Sequence, residues 1–360
     1  SEPMRKLISL FLALTLALSL GACSGGETPA TSSTSLPAAS QESSSQAEGA
    51  SSQKAAPEAT GVTMKVAALR GPTAMGMVKL MDDAAQGATA NGYEFTLAGS
   101  ADEILGQIIQ GEFDVAAVPT NLAATLYNRT EGQVKLLALN TLGVLYIVEQ
   151  GDTIQSVEDL RGRTIYATGK GSTPEYALNY VLTQNGLTPG ADVTVEYRSE
   201  HAELAALLSQ GQADLALLPQ PFVSTVLAQN SNVRVALDLT EEWDKAAQGA
   251  GQLTMGCVVV QDAFLQEHPE AVEAFLAEYK ASVDFVTDPA NLDAAAELIA
   301  GQEIVASAEI AKAALPQCGI VFLTGQEMKD AASGFLSVLY EADPQSVGGT
   351  LPDDNLYYIP

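Results

Sequence analysis

Apolar and polar positions between residues 101 and 227 follow one pattern twice, at an offset of 100 residues and without a gap. ADEILGQIIQGEFDVAAVP (Ala101–Pro119) falls on HAELAALLSQGQADLALLP (His201–Pro219), with identical pairs at Glu103/Glu203, Gln110/Gln210, Gly111/Gly211, Asp114/Asp214, Ala116/Ala216 and Pro119/Pro219. Upstream, VAALRGPT (Val66–Thr73) falls on YATGKGST (Tyr166–Thr173), which sets Arg70 opposite Lys170. In each copy a buried apolar run, a Gly-containing polar turn, an amphipathic stretch, a second run, a second amphipathic stretch and a short apolar run ending at proline predict a βαβαβ unit.

A repeat of this size decides the architecture more firmly than any short motif. Strands alternating with helices predict an α/β protein of two lobes, each a mostly parallel sheet flanked by helices. Ligands of such sheets bind beyond the carboxyl ends of the strands, which here puts a cleft between the lobes. LGVLYIVEQGDTI (Leu142–Ile154) reads as the strand that crosses into the second lobe, and MGCVVV (Met255–Val260) as the return. The predicted division is 61–146 with 254–345 for lobe 1, 147–253 for lobe 2, and an extended tail at 346–360. From Gln261 onward the pattern is helical, ending in a helix over Gly325–Glu341.

The first 60 residues read differently. Ser1–Pro3 stand ahead of Met4 and read as a cloning remnant. Residues 1–22 otherwise read as a lipoprotein signal peptide: Arg5 and Lys6 precede an uncharged apolar stretch, Leu7–Leu18. That stretch is too short to span a bilayer, which takes roughly 20 apolar residues. Leu20-Gly21-Ala22-Cys23 resembles the lipobox of bacterial lipoproteins, which implies acylation of Cys23 and a lipid anchor. Residues 24–60 are Ser-, Ala-, Thr- and Glu-rich with one aliphatic residue, Leu36, and predict an unfolded tether. Such a tether places the globular part at roughly 30–35 Å r.m.s. from the membrane. The expected location is the extracytoplasmic face of a bacterial cell membrane.

Composition narrows the partners. The net charge of −27 argues against nucleic acid. With Cys23 assigned to lipid, Cys257 and Cys318 are either a disulfide or two free thiols. No metal-spaced His/Cys set, Ser/His/Asp arrangement or cofactor fingerprint is visible, so no cofactor is expected and the chain reads as a binding protein, not an enzyme.

Candidate ligand contacts lie at strand ends. In lobe 1 these are Arg70, Gly71, Pro72 and Thr73 after the first strand, Ser100 as an N-cap, and Thr120 and Asn121 after the third. In lobe 2 they are Lys170, Gly171, Ser172 and Thr173, followed by Pro174 and Glu175 at a helix start. His201 and Gln220 follow the later strands. The GxxxxGK[ST] spacing of a P-loop is absent. Trp243, the one tryptophan, reads either as a stacking platform for a planar ligand or as a hydrophobic anchor near the hinge.

MKVAALRGPT, FDVAAVPTN, TIYATGKGSTPEYAL, ADLALLPQPF and PEAVEAFLAEYKASVDFV together resemble the extracytoplasmic solute-binding proteins of ABC transporters, of the type II fold. The closest group is the nitrate/sulfonate/taurine and thiamine-pyrimidine-precursor type. The resemblance spans about Val62–Asp343. It implies a monomer that closes on a small solute and delivers it to an ABC permease and ATPase. It also implies ligand contacts in the turns after the first and third strands of each lobe. Pyrimidine-forming enzymes on the same scaffold carry a cysteine-rich motif that this chain lacks. An extracytoplasmic or pyrimidine-forming enzyme and a sensory binding lipoprotein stand as alternatives, and a sulfonate- or nitrate-like anion and a pyrimidine-type heterocycle stand as ligand classes.

Overall fold

The computed structural model describes residues 57–360; the signal segment, Cys23 and the tether as far as residue 56 lie outside the described residues. Among the described residues eleven strands form two sheets. In chain order they are β1 (Thr63–Leu69), β2 (Gly92–Ala98), β3 (Val115–Pro119), β4 (Val134–Leu142), β5 (Leu145–Gln150), β6 (Thr164–Ala167), β7 (Thr194–Tyr197), β8 (Leu215–Pro219), β9 (Val233–Asp238), β10 (Thr254–Gln261) and β11 (Ile320–Leu323). Lobe 1 has the order β11-β4-β10-β3-β1-β2 and lobe 2 the order β7-β6-β8-β5-β9.

The repeat survives in three dimensions residue for residue. The helix after β2 covers Ala101–Ile109 and the one after β7 covers His201–Ser209, while β3 and β8 end at Pro119 and Pro219. Gly111 and Gly211 follow these helices with φ of 77° and 73°. A side chain is strained in that left-handed region, so glycine is the residue that ends both helices cleanly.

The crossovers exchange one strand between the halves. β5 follows β4 in the chain but pairs in lobe 2, antiparallel between β8 and β9. β10 follows β9 but pairs in lobe 1, antiparallel between β3 and β4. Only β1/β2, β1/β3, β6/β7 and β6/β8 are parallel. The sheets are therefore mixed, not mostly parallel. The βαβαβ reading holds for the three strands of each repeat, and the exchanged strands supply the antiparallel pairs.

Local differences from the sequence reading have local causes. The apolar run after Leu142 is broken at Gly143-Val144, because β4 ends in one sheet and β5 begins in the other. The helical segment after β1 is split into Pro72–Met75 and Val78–Ala85 at Gly76, where a Cβ would sit 3.1 Å from Val283 and 3.3 Å from Ile320. A short strand, β11, interrupts the helical C-terminal part. The tail is not simply extended. It makes 3-10 turns at Pro344–Val347 and Asp354–Leu356, and Tyr357 bridges to Leu136.

Three cores result. One fills the outer face of lobe 1, around Met64, Phe275, Tyr279 and Ile299. A small one lies under the His201–Ser209 and Phe222–Gln229 helices of lobe 2. The third runs through both lobes: Leu122, Leu136 and Phe335 of lobe 1 pack with Leu178, Val181 and Trp243 of lobe 2. This shared apolar cluster joins the lobes. Cys257 and Cys318 are both buried free thiols. No described helix is long and apolar enough to cross a membrane.

Candidate functional site

The ends of β1, β3, β6 and β7 converge on one cavity of about 240 Å³ between the lobes. Lobe 1 contributes Leu69, Gly99, Ser100, Ala101, Asp102, Pro119 and Met255. Lobe 2 contributes Thr168, Gly169, Lys170, Ser172, Pro174, Tyr197, Arg198, Ser199 and His201. The first turns of three helices meet here: Ala101–Ile109, Thr173–Gln184 and His201–Ser209. Their unpaired N–H groups carry partial positive charge, which suits an anion or a carbonyl oxygen.

Ser100 and Ser172 occupy N-cap positions, yet neither side chain bonds a backbone N–H of its helix. Both residues line the cavity. Two cations face the same space. The Lys170 ammonium stands 6.0 Å from the centre of the Tyr197 ring. The Arg198 guanidinium stands 5.0 Å from the centre of the Tyr166 ring and donates to the Tyr197 carbonyl at 3.1 Å. Its nearest carboxylate, Glu196, is 4.0 Å away, so most of its donor capacity is unspent. Asp102 is the one acidic residue in the lining.

His201 bonds through Nδ1 to the buried hydroxyl of Thr168 and packs on Phe222 at 5.2 Å between ring centres. Desolvation pushes its imidazole down to about 4, so the ring is neutral at pH 7. Positive charge in the cavity therefore comes from Lys170 and Arg198.

Of the residues singled out in the sequence, the cavity brings together Ser100, Lys170, Ser172 and His201. The others lie elsewhere. Arg70 is exposed and outside the lining. Gly71 and Pro72 are buried, and a Cβ on Gly71 would meet Phe222 at 3.5 Å and His201 at 3.6 Å across the lobe boundary. The Thr73 hydroxyl closes its own turn on the Leu69 backbone. Gln220 is buried, with its carbonyl oxygen accepting from the backbone and hydroxyl of Ser224 at 3.0 and 2.9 Å, so it caps a helix.

Asn121 bonds both Gly171 and Thr173 between the lobes, and all three lie outside the lining. Thr120 is fully buried, and its hydroxyl has no partner. Trp243 is a correction. It is fully buried between Tyr180 and Phe335, at 4.6 and 5.5 Å between ring centres, and donates through Nε1 to the Gly251 carbonyl at 2.8 Å. It is the hydrophobic anchor of the lobe junction and offers no face to a ligand.

Arg198, Tyr197 and Thr168 escaped the sequence reading, although the signal was there. The 100-residue offset sets Arg198 opposite Ala98 at the end of the second strand of its repeat, the kind of position from which Ser100 was chosen. Among the described residues no cluster of metal-ligating side chains occurs.

Known proteins share this fold. The family model for the periplasmic substrate-binding protein of phosphonate ABC transporters matches residues 93–297. The fold is similar to that of an ABC transporter protein from Parabacteroides distasonis, at 24% identity and a TM-score of 0.66 over 82% of this chain and 99% of that one. It is also similar to the periplasmic aliphatic sulphonate binding protein of Escherichia coli (16% identity, TM-score 0.64, 83% and 92% covered). The periplasmic nitrate-binding protein of Synechocystis PCC 6803 is a third (14%, 0.59, 81% and 85%). No curated protein matches in sequence.

Proposed function

From the premise that this chain belongs to the phosphonate-type periplasmic substrate-binding proteins of ABC transporters, we propose that its cavity captures a small oxyanion headgroup, phosphonate or sulfonate before nitrate. The family is one of binding proteins, not enzymes. What carries the reading is the pairing of Lys170 and Arg198 with the uncommitted Ser100 and Ser172 hydroxyls around about 240 Å³. Ligand pockets for drug-sized molecules usually run to roughly 300–1,000 Å³, so this cavity suits a tetrahedral or planar anion with a short substituent.

In this reading Arg198 supplies the forked charge-assisted donors and Lys170 a point charge. The helix N–H groups and serine hydroxyls complete the shell. Lobe closure excludes water and strengthens each of these bonds. Trp243 offers a pyrimidine no wall, and the two aromatic rings in the lining, Tyr197 and His201, are already engaged by the Lys170 ammonium and by Phe222. Delivery to a permease and ATPase, a monomeric state, and anchoring through lipid on Cys23 with the 24–60 segment as tether complete the proposal.

The test is calorimetry with methylphosphonate, ethanesulfonate, nitrate and a neutral aminopyrimidine. Binding of at least one anion, weakened by salt, is the expected result. Binding of the pyrimidine alone would sink it. For the anchor, Cys23→Ser should move the protein from the membrane fraction to the soluble one.

A further inference from the structure

Asn121 sits in the first turn of the Thr120–Arg129 helix of lobe 1, buried, with every polar atom of its side chain engaged. Its Nδ2 donates to the Gly171 carbonyl of lobe 2 at 3.2 Å and to the Ser346 carbonyl of the tail at 2.9 Å. Its Oδ1 accepts from the Thr173 hydroxyl at 3.2 Å, and the same hydroxyl accepts from the Asn121 backbone N–H at 3.4 Å. An asparagine side chain has two donor hydrogens and both are spent here, so no N–H of it is left for an anion. The tail end is held in turn by Asn128, on the same face of that helix, whose Nδ2 donates to the Val347 carbonyl at 2.9 Å.

We propose that Asn121 is a positioning residue: lobe 1 and the tail act through it to set the Gly169–Thr173 turn, and so the two cavity-lining groups Lys170 and Ser172. The pin joins three segments that the chain separates by 50 and 225 residues, and it sits on the buried side of the turn. Without the Asn121 side chain, the turn's one remaining hydrogen bond to lobe 1 among the described residues is the long 3.4 Å one from the residue-121 backbone N–H to the Thr173 hydroxyl. Lys170 and Ser172 then spend binding energy on being ordered. This inference rests on the anion reading of the cavity.

The experiment compares Asn121→Ala, Thr173→Val, the double variant and Thr173→Ser with the parent chain. Affinity is measured for methylphosphonate, ethanesulfonate and nitrate, and amide exchange is followed in the ligand-free turn. The expected result is a rise in Kd of about tenfold for every anion that binds, with their ranking kept and faster exchange at Gly171–Thr173. The double variant should lose less than the sum of the two singles, because both remove the bond between the Thr173 hydroxyl and Asn121 Oδ1, and Thr173→Ser should behave as the parent. A changed ranking with unchanged exchange would make Asn121 a ligand contact and overturn the proposal. So would a lower Tm with affinity and exchange unmoved, the mark of a purely structural role. If the parent binds none of the three anions, the cavity reading fails by itself, and the exchange data still decide whether Asn121 orders the turn.

Discussion

The Thr168 hydroxyl and Nδ1 of His201 stand 2.5 Å apart in the wall of the interlobe cavity, which leaves Nε2 as the ring's remaining polar atom. Burial holds this imidazole neutral, at about 4 against an ordinary 6.5. The unfolded chain takes up the proton first, so stability is whole above pH 6.5 and falls as pH drops toward 4. Because the residue is only partly buried, the shift corresponds to at most about 3 kcal/mol at the acid end. Urea melts at pH 7 and pH 4 should show His201→Gln losing less stability on acidification than the parent by about that amount. Parallel curves would show that His201 is not desolvated.

Lys170→Met and Arg198→Met should each weaken anion binding by one to two orders of magnitude, the usual loss for a charge-assisted bond in a partly enclosed site. Arg70→Ala should leave Kd within about twofold, because its side chain is exposed and outside the lining. Calorimetry at two salt concentrations checks both. An Arg70 effect as large as that of Arg198 would mean that the bound form differs substantially from this arrangement.

Trp243→Ala should cost about 3–5 kcal/mol of stability, as for other large aromatic truncations in cores. The residue joins Tyr180 to Phe335 across the lobe junction. Trp243→Phe keeps most of the packing but orphans the Gly251 carbonyl, and should cost about 1–2 kcal/mol. Thermal melts measure the loss. Ligand affinity of the Phe variant should stay close to that of the parent, and a large fall would return Trp243 to the ligand.

Glu149 of β5 is buried, which by itself would raise its carboxyl. Hydrogen bonds from the Thr153 hydroxyl and the Ile154 N–H at 3.0 Å, with Arg234 at 3.0 Å, outweigh burial and hold it below its ordinary value. Its stabilisation is present above the ordinary carboxylate pKa of about 4.3 and is lost as pH falls through the lower folded value. Glu149→Gln should cost about 2 kcal/mol at pH 7, less than a fully buried pair because Arg234 is one-third exposed. The gap from the parent should narrow in strong acid, as chemical denaturation can show; a constant gap would mean that shape, not charge, is at stake.

Much of this was legible one residue at a time. Pro119 and Pro219, Gly111 and Gly211, and the helices beginning at Ala101 and His201 could be placed because a strand's apolar run, a cap and a left-handed glycine are set by neighbours in the chain. The same local logic could not rank the polar residues at strand ends. Ser100 and Asn121 look alike in sequence, each a small polar residue at a helix start. One faces the cavity with a free hydroxyl, and the other is consumed by Gly171, Thr173 and Ser346.

The sequence by itself determined two repeated α/β units, their strand ends and the two crossings between them, since hydrophobic periodicity and turn chemistry act over a few residues. Only the tertiary structure decided that β5 and β10 insert antiparallel inside their sheets, and that Arg198 lines the cavity while Arg70 is exposed. It also buried Trp243 in the lobe junction. Those outcomes depend on how two rigid lobes are rotated against each other over a shared apolar side, a relation between residues far apart in the chain that no local pattern encodes.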